Sequence, residues 1–435
     1  MSETTTADQS EGTPERPPSL WRDRDFVRLW VGHTASQFAS QVSTLTVPLV
    51  AVMALSSSPD EVGLLRAVGQ LPYLLFALFV GVLVDRWRRR NVMVVADFAR
   101  ALALGAIPLF WALDALGTPV LYAVMLVVGT FTVLFDVAYQ AYLPRLIDRE
   151  SLARGNSLME SSRSGAQIGG PAFGGVLVSL LTAPVAIVAS CVTYLVSAIS
   201  IQRIRRPEPE PDPTAAKGGV LRQIREGVGL VARDPMLRTV AATACVFNFF
   251  FSAFMTAYLL FLPRDLELSG AAVGLCLAAF GPGFLVGALV AGTAPGRLGY
   301  GPVLVLSAAV SDGVMLLVGA MHGSGALTVA GLVVINFLYA AFAQTFNVAL
   351  MAVRQAITPD EIQGRVVATI RFLGVGLAPL GSALGGVLGG AAGLRASLLV
   401  AAGGMCLAPL VLLISPLARL GRELPEHVEQ PGKRA

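Results

Sequence analysis

The chain has 435 residues, a net charge of +4, and 54% hydrophobic residues before its 45 glycines are counted. Soluble domains reach only about 45–50% with glycine included, and just 14% of these residues are charged, so a single water-soluble core is excluded and a lipid-facing exterior is required. The basic residues cluster between apolar stretches, as in membrane loops, which argues against nucleic acid as a partner.

Residues 1–20 are polar and proline-rich and read as a disordered cytoplasmic tail with no cleavable signal peptide. A span needs roughly 20 mostly apolar residues. On that basis spans fall at 26–54, 61–84, 92–113, 119–142, 163–181 and 185–202, all within an amino-terminal bundle, 21–202. A connector, 203–237, follows. It opens on Arg203, Arg205 and Arg206 and runs into alternating prolines from Pro207 to Pro213, which favour extended, solvated chain. Leu221, Ile224, Val228 and Val231 then recur at helical spacing among Arg222, Arg225 and Arg233. That predicts an amphipathic helix, lying on the membrane or packed on the bundle. A second set of spans at 239–262, 271–294, 302–321, 326–352, 366–391 and 396–416 makes a carboxy-terminal bundle, 238–417, and 418–435 is a second tail. The fold class is an all-α membrane protein of twelve transmembrane helices.

With both termini cytoplasmic, the inner connections carry 20 basic residues and the outer ones two, Arg264 and Arg395. That asymmetry sets the expected orientation. The halves also repeat. Val62-Gly63-Leu64 returns as Val273-Gly274-Leu275, and Phe135-Asp136-Val137-Ala138 as Phe346-Asn347-Val348-Ala349, both at an offset of 211; Arg163 and Pro171 match Arg371 and Pro379 at 208. A duplicated six-helix unit predicts a site between the halves near mid-membrane and alternating access by rocking.

The loop after the second span reads Gly81-Val82-Leu83-Val84-Asp85-Arg86-Trp87-Arg88-Arg89-Arg90. It resembles the signature loop of the major facilitator superfamily. The resemblance implies two pseudo-symmetric bundles and a conformational latch built on Gly81, Asp85, Arg86, Arg89 and Arg90, with Asp136 as the acid partner of Arg86. The second-half copy has Gly296 where Asp85 stands, so a matching latch is not expected there. In the fifth span, Gly170, Pro171, Gly174 and Gly175 resemble the exporter motif of that superfamily, with Ala166 departing from its fuller form. Pro171 removes a helix hydrogen bond, and the glycines allow close packing.

Phe26-Val27-Arg28-Leu29-Trp30, Leu143-Pro144-Arg145-Leu146 and Asp234-Pro235-Met236-Leu237-Arg238 are similar to the drug- and siderophore-exporting branch, which includes macrolide-efflux and enterobactin-exporting proteins. The likeness runs from about Arg22 to about Leu417. That branch often carries Asp where Ser40 stands, so a first-span proton carrier is not expected.

Charge inside a span costs roughly 2.5–3.5 kcal/mol at a helix centre, so Arg66, Asp97, Arg100, Asp136 and Asp312 stand out. Asp97 and Arg100, three apart, can pair on one face. Asp312, with no other charged residue for a turn either way, is the first candidate proton carrier and Asp136 the second. Candidate cavity residues are Gln37, Gln41, Gln70, Gln167, Asn248, Phe251, Asn336 and Gln344. Cys191, Cys245, Cys276 and Cys406 lie in apolar segments, and His33, His322 and His427 lack metal-ligand spacing. No phosphate-binding loop occurs, so neither enzymatic activity nor a cofactor is expected.

The expected function is secondary export of a small amphiphilic or apolar solute (a drug, antibiotic, siderophore or natural product) by proton antiport, from a monomer in the inner (plasma) membrane. A nutrient importer of the same fold, or a membrane sensor or assembly protein, remains as an alternative.

Overall fold

The structure, a computed structural model, describes residues 20–85, 87–148, 151–208, 228–229, 231–358, 366, 369–370 and 372–423, except the side chains of 76–85, 153, 168 and 172. The amino-terminal tail, Arg86, the side chains of Gly81 and Asp85, Arg371 and most of the predicted amphipathic helix lie outside that description.

Among the described residues, twelve long helices are arranged six and six. The first six are α1 (Arg24–Leu49, extended to Ala54 by a wider turn), α2 (Pro59–Asp85), α3 (Arg89–Ala112), α4 (Thr118–Leu146), α5 (Leu152–Leu180) and α6 (Ala183–Gln202). The second six are α7 (Pro235–Arg264), α8 (Gly270–Ala291), α9 (Tyr300–Ala320), α10 (Ala326–Ile357), α11 (Phe372–Ala392) and α12 (Leu394–Leu413). Among the described residues, 10 of these are long and apolar enough to cross a membrane. The other two, α2 and α5, are the helices by which the first bundle touches the second.

Local chemistry sets the starts. Asp23 caps α1, accepting from the Asp25 and Phe26 amides at 2.9 and 3.2 Å. Asp234 caps α7 in the same way, at 2.8 and 2.9 Å from the Met236 and Leu237 amides, and Pro235 occupies the first helical position. The phrase that resembled exporters is thus, physically, a helix start. The two caps are 211 residues apart, the offset of the sequence repeat.

The spans correct the hydropathy reading at three ends. Helix α5 starts at Leu152 rather than 163, α4 runs to Leu146 rather than 142, and α10 to Ile357 rather than 352. Arg154, Asn156 and Glu160 on the first turns of α5 are exposed while Met159 is buried. The helix leaves the apolar layer and continues as an amphipathic one, which a hydropathy window reads as loop.

Packing repeats between the halves. Helix α1 packs on α5 and α6 as α7 does on α11 and α12; α2 on α4 as α8 on α10; α3 on α4 and α6 as α9 on α10 and α12. Between bundles, α2 meets α11 and α5 meets α8. We call the side that carries the start of the connector the linker face and the opposite side the far face. Toward the far face one hydrophobic core is shared by both bundles, with Val62, Leu104 and Val178 from the first and Phe261, Val273 and Leu398 from the second. At the linker face there are two separate cores, one around Phe26, Met93 and Phe135 and one around Val240, Leu304 and Val353. The bundles are therefore joined at the far face and part toward the linker face.

Two glycine contacts make the far-face seal. A Cβ on Gly63 would lie 2.7 Å from the Gly386 Cα, and one on Gly175 would lie 2.5 Å from the Gly274 Cα. Only glycine permits these approaches. Gly63 and Gly274, and Gly175 and Gly386, are again 211 apart. The contact register of α5 and α11 is thus 211, nearly one helical turn from the 208 that Pro171 and Pro379 suggested. The Arg264 guanidinium donates to the Ser57 carbonyl and ties the same face.

The start of the connector is fastened to the first bundle. Asp25 accepts from the Arg205 and Arg206 amides at 3.1 and 2.9 Å, and Arg206 pairs with Asp23 at 3.2 Å. Glu208 accepts from the Arg89 and Arg90 amides at 2.9 and 3.3 Å, placing its charge on the positive end of α3.

Candidate functional site

Midway along the helices, between the bundles, lies a cavity of about 380 Å³. The amino-terminal bundle gives it Gln41, Thr44 and Leu45 of α1, Arg66 of α2, and Gln167 and Pro171 of α5. The carboxy-terminal bundle gives it Phe247, Phe251 and Met255 of α7, Phe280 and Phe284 of α8, Asp312 of α9, and Tyr339 and Phe346 of α10. One wall is polar and carries a cation. The other is mostly aromatic and carries an acid.

The aromatic wall is built by helical spacing. Phe247 and Phe251, four apart on α7, stack with centroids 5.2 Å apart. Phe251 stacks on Tyr339 of α10 at 5.6 Å, and Phe280 of α8 meets the same ring edge-on at 5.6 Å. Phe284, four residues on, continues the row at 6.4 Å. Such contacts are each worth about 0.5–1.5 kcal/mol beyond burial, so the wall is held in shape by its own rings.

Asp312 is 2% exposed, and Ser311 Oγ lies 3.3 Å from its Oδ1. Neither Asp312 nor Arg66 has an ion-pair partner among the described residues. The Arg66 Nε is shielded from solvent and makes no hydrogen bond.

Of the cavity residues expected from sequence, Gln41, Gln167 and Phe251 line it, as does Asp312. The others do not, and all but Gln37 are engaged elsewhere. Asn336 is wholly buried inside the second bundle, donating at 2.8 Å to both the Tyr258 hydroxyl and the Cys276 carbonyl. Asn248 donates to the Ala244 carbonyl of its own helix at 2.8 Å. Gln70 accepts from Ser382 at 3.3 Å across the α2–α11 contact. Gln344 packs beside Gly287 of α8, and Gln37 is half-buried on α1 outside the cavity lining. Helix rotation decides which face looks inward, and polarity alone does not show it. Arg66, Phe280, Phe284 and Tyr339 were missed as lining. The four-residue spacing of Phe280 and Phe284 was the available signal.

The remaining charged candidates sit within the first bundle. Asp97 is fully buried and pairs with Arg100 of the same helix; it accepts from Ser197 at 2.5 Å and Ser36 at 3.1 Å. The Arg100 guanidinium lies over the Phe135 and Tyr194 rings at 4.7 and 4.4 Å. Asp136 accepts from the Tyr73 hydroxyl. Arg89 and Arg90, expected in the latch, hold the start of the connector in this state: the Arg89 guanidinium lies 3.5 Å from Glu208, and Arg90 donates to the Ile204 carbonyl at 2.6 Å. In the exporter-type motif, Gly170 receives Gln41 of α1, Gly174 packs on Val42 and Leu45, Gly175 seals against α8, and Pro171 faces the cavity.

Two pseudo-symmetric six-helix bundles around a cavity halfway along their helices define a transporter of the major facilitator superfamily. The chain belongs to the transmembrane secretion effector family of that superfamily, whose model matches residues 18–430. It is 30% identical over 385 residues to the multidrug efflux pump Tap of Mycolicibacterium fortuitum, covering 84% of this chain and 89% of that one. It is 24% identical to the MFS-type transporter YfiS of Bacillus subtilis, over 94% and 96% of the two chains. Among solved structures it is similar to a bacterial homologue of the lysosomal transporter Spinster in an inward-facing, occupied conformation (TM-score 0.71, 14% identity, 92% and 98% coverage). A bacterial homologue of ferroportin, inward-facing, gives a TM-score of 0.70 at 15% identity, with 90% and 98% coverage.

Proposed function

We propose that the protein exports a small apolar or amphiphilic solute from the cytoplasm across the inner membrane by proton antiport and alternating access. The observation that carries this is the cavity itself: an aromatic wall facing a polar one, with a buried acid, Asp312, in the lining. The likeness to a multidrug efflux pump supports the direction, and the excess of basic residues on the linker face supports a cytoplasmic orientation for it. On that orientation, the far-face seal makes this the state that loads solute from inside.

A buried carboxylate in a membrane span is costly when charged. Asp312 is therefore the carrier: protonated from outside when the far face opens, and deprotonated toward the cytoplasm as solute enters. The electrical part of the gradient supplies about 2.3 kcal/mol per charge per 100 mV. Asp85 and Arg86, with Asp136, latch the alternate state in which the linker face closes.

The test is antibiotic and dye accumulation in cells with and without the gene, followed by liposomes given a pH step. Solute movement against its gradient, driven by the step, is the expected result. Equal accumulation across a broad panel would refute the reading.

A further inference from the structure

Among the described residues, the polar wall of the cavity holds one full charge, Arg66, and no acid answers it. Its neighbours in that wall are neutral: Gln41 and Thr44 on α1 and Gln167 on α5. Asp312, the one acid of the lining among the described residues, belongs to the opposite wall and the opposite bundle and makes no ion pair with it. A guanidinium carries five donors in a rigid fork and accepts nothing, and leaving it unanswered at membrane depth is expensive. An Arg in that position is explained by something that enters the cavity.

We propose that Arg66 binds an oxyanion of the transported solute, so that the substrate class is amphiphilic acids. A flat apolar body lies against Phe251, Phe280 and Phe284, and a carboxylate or comparable oxyanion meets the guanidinium fork. The guanidinium on one wall and the rings on the other fix which end of the molecule faces which bundle. The bound acid thereby bridges the halves, its charge on one and its rings on the other. This rests on the export reading above and specifies its substrate.

Three probes with one ring system separate charge from shape: anthracene-9-carboxylate, 9-anthracenemethanol and 9-(aminomethyl)anthracene. Their fluorescence is titrated on the full chain in phosphatidylcholine nanodiscs, with empty nanodiscs subtracted. The wild type binds the carboxylate about tenfold or more tighter than the alcohol, the scale of a charge-assisted hydrogen bond. Arg66→Gln erases that preference while binding of the alcohol and the amine persists, which also shows the variant folded. Arg66→Lys, with charge but no fork, retains part of it. If Arg66→Gln binds neither neutral nor cationic probe, Arg66→Lys decides, and a preference undiminished from wild type overturns the proposal.

A wild type that binds carboxylate and alcohol equally, or an Arg66→Gln variant that keeps the preference, overturns the proposal and leaves the export reading standing. A wild type that binds none of the three overturns both. Repeating the titration with phosphatidylglycerol added separates the sources of the oxyanion. An unchanged preference assigns the site to solute, and its abolition assigns the site to a lipid headgroup and overturns the proposal.

Discussion

Gly175 of α5 and Gly274 of α8 meet backbone to backbone across the bundle interface, and a Cβ on Gly274 would lie 2.8 Å from the Gly175 Cα. The approach leaves no space for a side chain on either helix. It belongs to the state in which the far face is shut, and it must be given up when that face opens.

Replacing either glycine by valine penalises the shut state. Overpacking of a tight contact costs about 1–3 kcal/mol, a population shift of about 5–150-fold. Spin labels at the far-face ends of α5 and α8 should show the longer separation gaining population in Gly274→Val. Identical distance distributions in variant and wild type would mean that the seal does not govern the state.

Asp312→Asn should uncouple transport and leave the cavity intact. In liposomes the variant should let solute equilibrate down its gradient and fail to respond to a pH step. In the wild type, export should slow as external pH rises, because the carrier is loaded from outside. A variant that still concentrates solute under a pH step would remove Asp312 from the coupling.

The Asp97–Arg100 pair makes a stability prediction. Removing one partner of a buried pair strands a charge, at about 3–5 kcal/mol. Asp97→Asn or Arg100→Gln alone should lower the melting temperature of the purified protein sharply. The double variant should recover part of the loss, since residues in one network are not additive. Additive losses would show that the two charges do not depend on each other.

Asn336→Leu should leave probe binding in the cavity unchanged and destabilise the second bundle modestly. Hydrogen bonds between membrane helices average about 0.6 kcal/mol with a maximum near 1.7. A loss of probe binding without a loss of stability would return Asn336 to the cavity.

Much of this architecture was legible in the sequence, because a bilayer demands long apolar helices and a duplication leaves a register. The offset of 211 that links Val62-Gly63-Leu64 to Val273-Gly274-Leu275 is the same one that relates the caps Asp23 and Asp234 and the paired glycine contacts. Asp312 stood out for the same thermodynamic reason that makes it notable in the structure: an acid inside an apolar span is costly when charged. What the sequence hid was rotation. Gln41 and Asn336 are both polar residues inside spans, yet one faces the cavity and the other bonds Tyr258 within its own bundle. Arg66 read as one intramembrane charge among five until its place in the lining separated it from the paired Asp97 and Arg100. The start of α5 was hidden because hydropathy measures lipid contact, whereas the helix is kept going by its own backbone hydrogen bonds beyond the lipid.

The fastening of Glu208 to the amino end of α3 has a kinematic consequence. Residues 203–208 travel with the first bundle as part of one rigid body. Any hinge between the halves therefore begins after Glu208 and not where α6 ends.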